Sequence, residues 1–273
     1  MNLLDRSIAL GSMGVSLGQL LLVLAMLTAL LVGTWVGRKR KIRIGDSLFN
    51  ALLIGIISAR IIFIACYWDS YDSLWSWFDI RDRGFEPLAG LVAALSYLGW
   101  RLWRHPCERR PLGMAMLAGA LAWSLTAGAL TLMMPRGASL PATPLITLDS
   151  AEVSLPRLQQ ETGQPMVVNL WASWCPPCRR EMPMLEQAQQ QLDDVTFVFV
   201  NQGESASSIA TFLERESLTL QHLYQDPHMS FGQQVGAVAM PTTLYYDADG
   251  NLVDSHFGEL SRATLDRSLE RLQ

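Results

Sequence analysis

The spacing of apolar residues changes character half-way along this chain. Four long apolar stretches come first, at about residues 17–36, 47–67, 87–103 and 112–133. Each runs for roughly 17 to 22 residues, and about 20 helical residues cross the hydrocarbon core of a bilayer. The pattern predicts four transmembrane helices within residues 1–134. Past a Pro-rich segment, residues 135–144, the runs shorten and alternate between strand and helix spacing. Strands are expected at 145–148, 153–155, 166–171, 195–201, 221–224, 242–247 and 252–257. Helices are expected at 157–161, 175–192, 205–216 and 261–272. Within 175–192, Glu181, Met182, Leu185 and Ala188 share helical spacing, and Pro183 predicts a kink. Asp249-Gly250 marks a hairpin turn and Ser261 a helix N-cap. The chain reads as a multi-span α-helical membrane region followed by an α/β domain over residues 145–273. The linker between them reaches roughly 30 Å if extended.

Charge sharpens the division. Residues 1–141 carry 14 Lys and Arg against 8 Asp and Glu, whereas residues 142–273 carry 7 against 17. The halves stand at +6 and −10 within a net charge of −4. Such asymmetry points to a membrane half and a soluble half and argues against nucleic-acid binding. Both lysines, Lys39 and Lys41, fall in the basic stretch 38–43, and the segment 101–110 is also strongly basic. The positive-inside rule assigns both to the cytoplasm. The 68–86 segment carries Asp69, Asp72, Asp79, Asp82 and Glu86 and belongs outside, where Trp68, Trp75 and Trp77 suit an interfacial aromatic belt. The N-terminus and the C-terminal domain then face the periplasm of a bacterial inner membrane. The first apolar stretch is expected to persist as a span. It is too long for a signal-peptide core, its charges follow it, and no small-x-small cleavage site is present.

Arg60 falls inside the second stretch, about seven residues from its outer end. A charge there either snorkels to headgroups or takes a partner, for which Glu86 is the expected choice. Cys66 and Cys107 fall on opposite sides of the predicted bilayer and read as unpaired. A meeting of Cys66 with Cys175 is conceivable, both being near the outer face.

The chemistry concentrates in Trp171-Ala172-Ser173-Trp174-Cys175-Pro176-Pro177-Cys178, between an apolar strand and a helical pattern. A Cys at the first turn of a helix meets the positive end of the helix dipole and free N–H groups, which favour the thiolate. The thiolate attacks disulfides, and a second Cys one turn later is placed to resolve the mixed disulfide. Two other readings compete. A zinc site needs two further ligands, and neither Cys66 and Cys107 nor His222 and His228 form a second pair. Pro176 and Pro177 also remove donors that a zinc knuckle would use. A purely structural disulfide gains little from so short a loop. A C-x-x-C within alternating strands and helices favours a dithiol–disulfide redox site. Downstream, Met240-Pro241 precedes a strand, a position that tolerates proline and suits a cis bond.

From about residue 142 onward the chain resembles the TlpA-type membrane-tethered branch of the thioredoxin-like family, which includes cytochrome c maturation reductases. The matching residues are Trp171 to Glu181, Val200-Asn201, Met240-Pro241-Thr242-Thr243, and Asp247-Ala248-Asp249-Gly250 followed by Gly258. The resemblance implies a thioredoxin fold with Cys175 as exposed nucleophile, Cys178 as resolving thiol and a cis Pro241 beside them. The 66 residues from Cys175 to Pro241 leave room for the strand and helix this branch inserts. Simple thioredoxins carry a buried Asp six residues before the first Cys, and this chain has Asn169 there. Asn accepts no proton from the resolving thiol. Glu181, three residues after Cys178, is therefore expected to exchange that proton, a role the resemblance also implies for it. An ordinary exposed helix Glu is the competing reading.

Residues 16–103 resemble the first spans of prolipoprotein diacylglyceryl transferase, through Ser58-Ala59-Arg60-Ile61-Ile62-Phe63, the acidic loop and Gly84-Phe85-Glu86-Pro87-Leu88-Ala89-Gly90-Leu91. Where that family carries a catalytic His before two glycines, this chain has Leu88-Ala89-Gly90, and no His lies between residues 1 and 104. The membrane half reads as a scaffold or docking module in contact with the lipid bilayer.

The expected function is reduction of disulfides in exported proteins, such as cytochrome c maturation or copper-site assembly clients. The resemblance implies recharging by a DsbD-type membrane electron donor, with no cofactor or metal. Oxidase or isomerase activity, a lipid-interacting transferase with an accessory redox domain, and a binding module are the alternatives.

Overall fold

The computed structural model describes residues 7–10, 13–38, 42, 44–71, 73–132, 139–237 and 239–272. Lys39, Arg40, Lys41 and Arg43 of the basic stretch, Asp72, and linker residues 135–138 lie outside the described residues. The chain divides into two compact units, residues 17–134 and residues 135–273 with 1–16. Strands β1 (Ser7–Leu10) and β2 (Met13–Ser16) pair as an antiparallel hairpin that the hydrophobic pattern does not predict.

Residues 17–134 form helices α1 (Leu17–Arg38), α2 (Gly45–Cys66), α3 (Pro87–Arg104) and α4 (Arg109–Trp123). A π turn at Ser124–Gly128 and the short α5 (Ala129–Leu132) follow. Helix α1 packs on α4, and α2 on α3. The second pair approaches closely through glycine. A Cβ on Gly90 would stand 2.8 Å from the Gly55 carbonyl oxygen and 3.0 Å from the Ala59 Cβ. Small residues at such a crossing replace side-chain volume with backbone contact. Among the described residues, three helices are long and apolar enough to cross a membrane: Leu17–Arg38, Gly45–Cys66 and Arg109–Gly128. Helix α3 forms where the third apolar stretch was expected, but it is short, with Arg101 and Arg104 in its last turn. Leu22, Val23, Leu27, Leu31, Ile61 and Leu117 stay exposed on these helices.

Arg60 is buried, and its partner is Asp82, at 3.0 Å, where the sequence suggested Glu86. The physical reason lies in the loop after α2, which curls over the guanidinium. Arg60 donates to the carbonyls of Trp77, Gly84, Ser76 and Asp79 at 3.1, 2.7, 3.4 and 2.7 Å. A Cβ on Gly84 would stand 2.7 Å from Arg60 Nη1, so glycine admits the close approach. Glu86 instead donates its backbone N–H to the Ala59 carbonyl. Trp68 and Trp75 are exposed, whereas Trp77 is half-buried against Trp68. Cys66 and Cys107 are free and exposed.

The second unit is built on a seven-stranded sheet. Its strands are β3 (Leu145–Thr147), β4 (Glu152–Val153), β5 (Met166–Trp171), β6 (Thr196–Gln202), β7 (Leu223–Asp226), β8 (Thr242–Tyr246) and β9 (Leu252–Phe257). Their order is β4-β3-β7-β6-β5-β8-β9. Strands β5, β6 and β7 run parallel, and β8 and β9 extend the sheet antiparallel. The helices are α6 (Leu155–Thr162), α7 (Pro176–Gln191), α8 (Ala206–Glu216), α9 (Ser230–Gln234) and α10 (Arg262–Leu269). Every residue of β5 and β6 is buried, as expected of parallel strands covered on both faces. Val167 and Trp171 face a core with Met182 and Leu185 of α7, Ile209 and Phe212 of α8, and Leu265 of α10. Met166, Val168 and Leu170 face the opposite core, with Leu155 of α6 and Phe231 of α9.

Candidate active site

Strand β5 ends at Trp171, and α7 begins at Pro176, so the loop between them delivers Cys175 to the helix N-cap. Cys175 and Cys178 form a disulfide, with Cα atoms 5.3 Å apart. The Cys178 N–H points at the Cys175 sulfur, 3.4 Å away, as the capping geometry requires. Two prolines fit here because first-turn N–H groups have no helical acceptor. Cys178 is fully buried in the α7-side core. Cys175 is 4% exposed in this disulfide form, which corrects the expectation of an exposed nucleophile. Cys175 belongs to the same core as Cys178, while Trp174 beside it is 63% exposed. Cys66 does not meet Cys175, whose partner is Cys178.

The loop ahead of Cys175 is pinned by a residue the sequence reading passed over. Glu204, between β6 and α8, accepts from the Ser173 N–H and hydroxyl at 2.6 and 2.5 Å. Asn201 donates to the same carboxylate at 2.7 Å. The signal was Glu204 one residue before the helix cap Ser205, but its target lies 31 residues upstream.

Met240-Pro241 is cis, and Pro241 is buried at the mouth of β8. Its carbonyl accepts from the Gly258 N–H at 3.0 Å. Met240 packs half-buried against the core that holds Cys178.

Glu181 is 1% exposed, so the picture of an exposed helix Glu does not hold. Its Oε1 accepts from Asn169 Nδ2 at 2.9 Å and its Oε2 from the Leu260 N–H at 2.8 Å. Asn169 also donates to Thr243 Oγ1 at 3.0 Å, its neighbour across the β5–β8 pairing. Burial drives the Glu181 carboxyl up to about 8, against the two donors that favour its anion. A buried carboxyl poised near neutrality, one turn beyond a buried sulfur, can hold or release a proton in a place water does not reach.

Residues 135–269 match the Redoxin family. The chain is 31% identical over 121 residues to the thiol-disulfide oxidoreductase ResA of Geobacillus kaustophilus, a match spanning 43% of this chain and 68% of that protein. This chain belongs to the thiol-disulfide oxidoreductase family. The oxidoreductase is also 28% identical over 163 residues to thioredoxin-like protein YneN of Bacillus subtilis, covering 58% of this chain and 93% of that protein. With the thiol:disulfide interchange protein HelX of Rhodobacter capsulatus it shares 27% identity over 141 residues, covering 51% and 79%. Relatives of this family imply disulfide-containing protein substrates, and in this chain Cys175 and Cys178 form a disulfide.

Proposed function

We propose that this oxidoreductase is a membrane-anchored reductase of the TlpA type, which reduces disulfides in exported proteins from the periplasmic face of a bacterial inner membrane. The observation that carries this reading is the Cys175–Cys178 disulfide at the head of α7, with the second sulfur buried beside a protonatable Glu181. The reduced Cys175 thiolate attacks a client disulfide. One client sulfur leaves and takes up a proton, and the other stays bound to Cys175. Cys178 then gives its proton to Glu181 and attacks the Cys175 sulfur. The second client thiol departs, two electrons pass to the client, and the Cys175–Cys178 disulfide is restored. Trp174 offers an exposed apolar face to the client, Pro176 and Pro177 shape the helix start, and Met240, next to the cis Pro241, packs on the core that holds the pair.

The sulfur environment supports the reductase direction. A strong oxidant stabilises its reduced form. Here Cys178 lies in an apolar core next to an acidic group, which disfavours a thiolate and favours the giving up of electrons. A DsbD-type membrane protein would return the enzyme to its dithiol form. The membrane half crosses four times in this reading, α3 included, because the acidic 68–86 segment lies between two basic stretches that the positive-inside rule assigns to one side. Its exposed leucines meet lipid. It acts as a scaffold, since the transferase it resembles relies on a histidine this chain lacks at Leu88-Ala89-Gly90.

A Cys178→Ala variant of the full chain, expressed in a bacterial membrane, is expected to accumulate mixed disulfides through Cys175 with clients and donor. Their absence would overturn the reading. The redox potential decides direction. A value near thioredoxin's, about −270 mV, supports a reductase, and one near about −120 mV marks an oxidant.

A further inference from the structure

The loop from Gly258 to Ser261, between β9 and α10, touches three parts of the site in consecutive residues. The Gly258 N–H donates to the Pro241 carbonyl at 3.0 Å, and Gly258 holds φ at +100°, where other residues are strained. The carboxylate of Glu259 accepts Arg180 Nε at 2.9 and 3.0 Å and also its Nη2. The Leu260 N–H reaches Glu181 at 2.8 Å. Arg180 and Glu181 are neighbours on α7, so the ion pair and the Leu260 bond fasten adjoining residues of the loop to adjoining residues of the helix.

We propose that Arg180 and Glu259 are positioning residues that clamp the 258–261 loop onto α7, aim the Leu260 N–H at Glu181, and thereby set how readily Glu181 accepts the Cys178 proton. The clamp has this role on the reading of Glu181 given above. An ion pair whose arginine is 46% exposed adds little to stability, so its worth lies in what it aims. The fork of the guanidinium fixes direction as well as distance. Around Glu181 stand Cys178 and Arg180 on α7, Tyr245 on β8 and Glu259 in the loop, with Asn169 on β5 as a neutral donor. His256 on β9 sits behind the clamp, its Nε2 3.3 Å from the Glu259 carbonyl.

Losing Arg180 acts in one direction. It removes a cation that favours the Glu181 anion and leaves the Glu259 anion unneutralised. It also frees the loop that supplies an N–H donor. All three raise the proton affinity of Glu181.

The test uses the full chain in detergent micelles and follows the rate of the resolving step against pH with a disulfide-containing peptide. The wild-type rate is expected to climb as Glu181 ionises. In Arg180→Gln the climb moves up by about half a pH unit, a roughly threefold loss of rate on its acidic side. The exchanged pair Arg180→Glu with Glu259→Arg is expected to bring it back. Should Arg180→Gln leave the climb in place while Glu181→Gln abolishes it, the clamp is wrong and the role of Glu181 stands. A shift that the exchanged pair fails to reverse also overturns the clamp, since an ion pair restored between the same two positions would then not restore the aim of the loop. Should Glu181→Gln leave the profile unaltered, the proton-acceptor reading itself fails, and the clamp with it.

Discussion

Glu181 shows what one side chain gains from being placed where water is absent. Its carboxyl is held at about 8, up from 4.5. Between those values the folded protein keeps a proton that the unfolded chain has released, so this group makes folding stability fall as pH rises through that window. The slope is at most about 1.4 kcal/mol per pH unit, and it levels off above the folded value. Glu181→Gln is expected to flatten the decline in melting temperature of the oxidised protein between pH 4.5 and 8. An unchanged decline would place the responsible group elsewhere. The two cysteines were legible in the sequence because their chemistry depends on local spacing, three residues on one helical turn. The burial of Glu181 was not, because the donor that completes it, Leu260, lies 79 residues downstream. Glu204 escaped notice for the same reason. Its partner Ser173 comes from another loop, and an acidic residue ahead of a helix is unremarkable by itself.

At the scale of elements, local signals were read correctly where the chain terminates its own hydrogen bonds. Ser261 caps α10, with its hydroxyl accepting from the Thr264 N–H and Thr264 accepting in return from the Ser261 N–H. Ser261→Ala is expected to destabilise the oxidoreductase unit by about 1 kcal/mol, measured by urea unfolding of the full chain. A loss indistinguishable from zero would mean that tertiary packing alone holds α10 in place. Other boundaries moved. Leu155 was expected to end a strand and instead starts α6, because Pro156 presets a first helical turn that needs no N–H. Helix α9 was missed altogether. Five residues are too few for a visible period, and the element exists because the buried Asp226 carboxylate accepts the N–H groups of Ser230, Phe231 and Gly232. Pro183 lies inside α7, where the sequence predicts a helix interrupted by proline.

For the molecule as a whole, the hydrophobic pattern separated apolar helices from the mixed sheet, because long helices and short strands impose different periods on the sequence. It did not anticipate how the loop after α2 would close. That loop is organised by one buried cation whose donors are taken up by four carbonyls and a carboxylate, and backbone acceptors leave no trace in side-chain patterning. Arg60→Gln is expected to open this loop. Trypsin cleavage after Arg81 and Arg83 in the detergent-solubilised chain should rise about tenfold, the effect of losing about 1.4 kcal/mol of local closure. Equal cleavage rates in the two proteins would show that other contacts keep it shut.

The pairing of β5 between β6 and β8 has one further consequence. Asn169 reaches the acid only because odd-numbered residues of that strand point towards α7. Removing a single residue from the turn at 163–165 would turn the strand over, setting Val168 or Leu170 beneath the carboxyl and driving an amide into oily surroundings. Both sulfurs would survive such a slip, yet on the role proposed for Glu181 the proton of the resolving thiol would have lost its resting place.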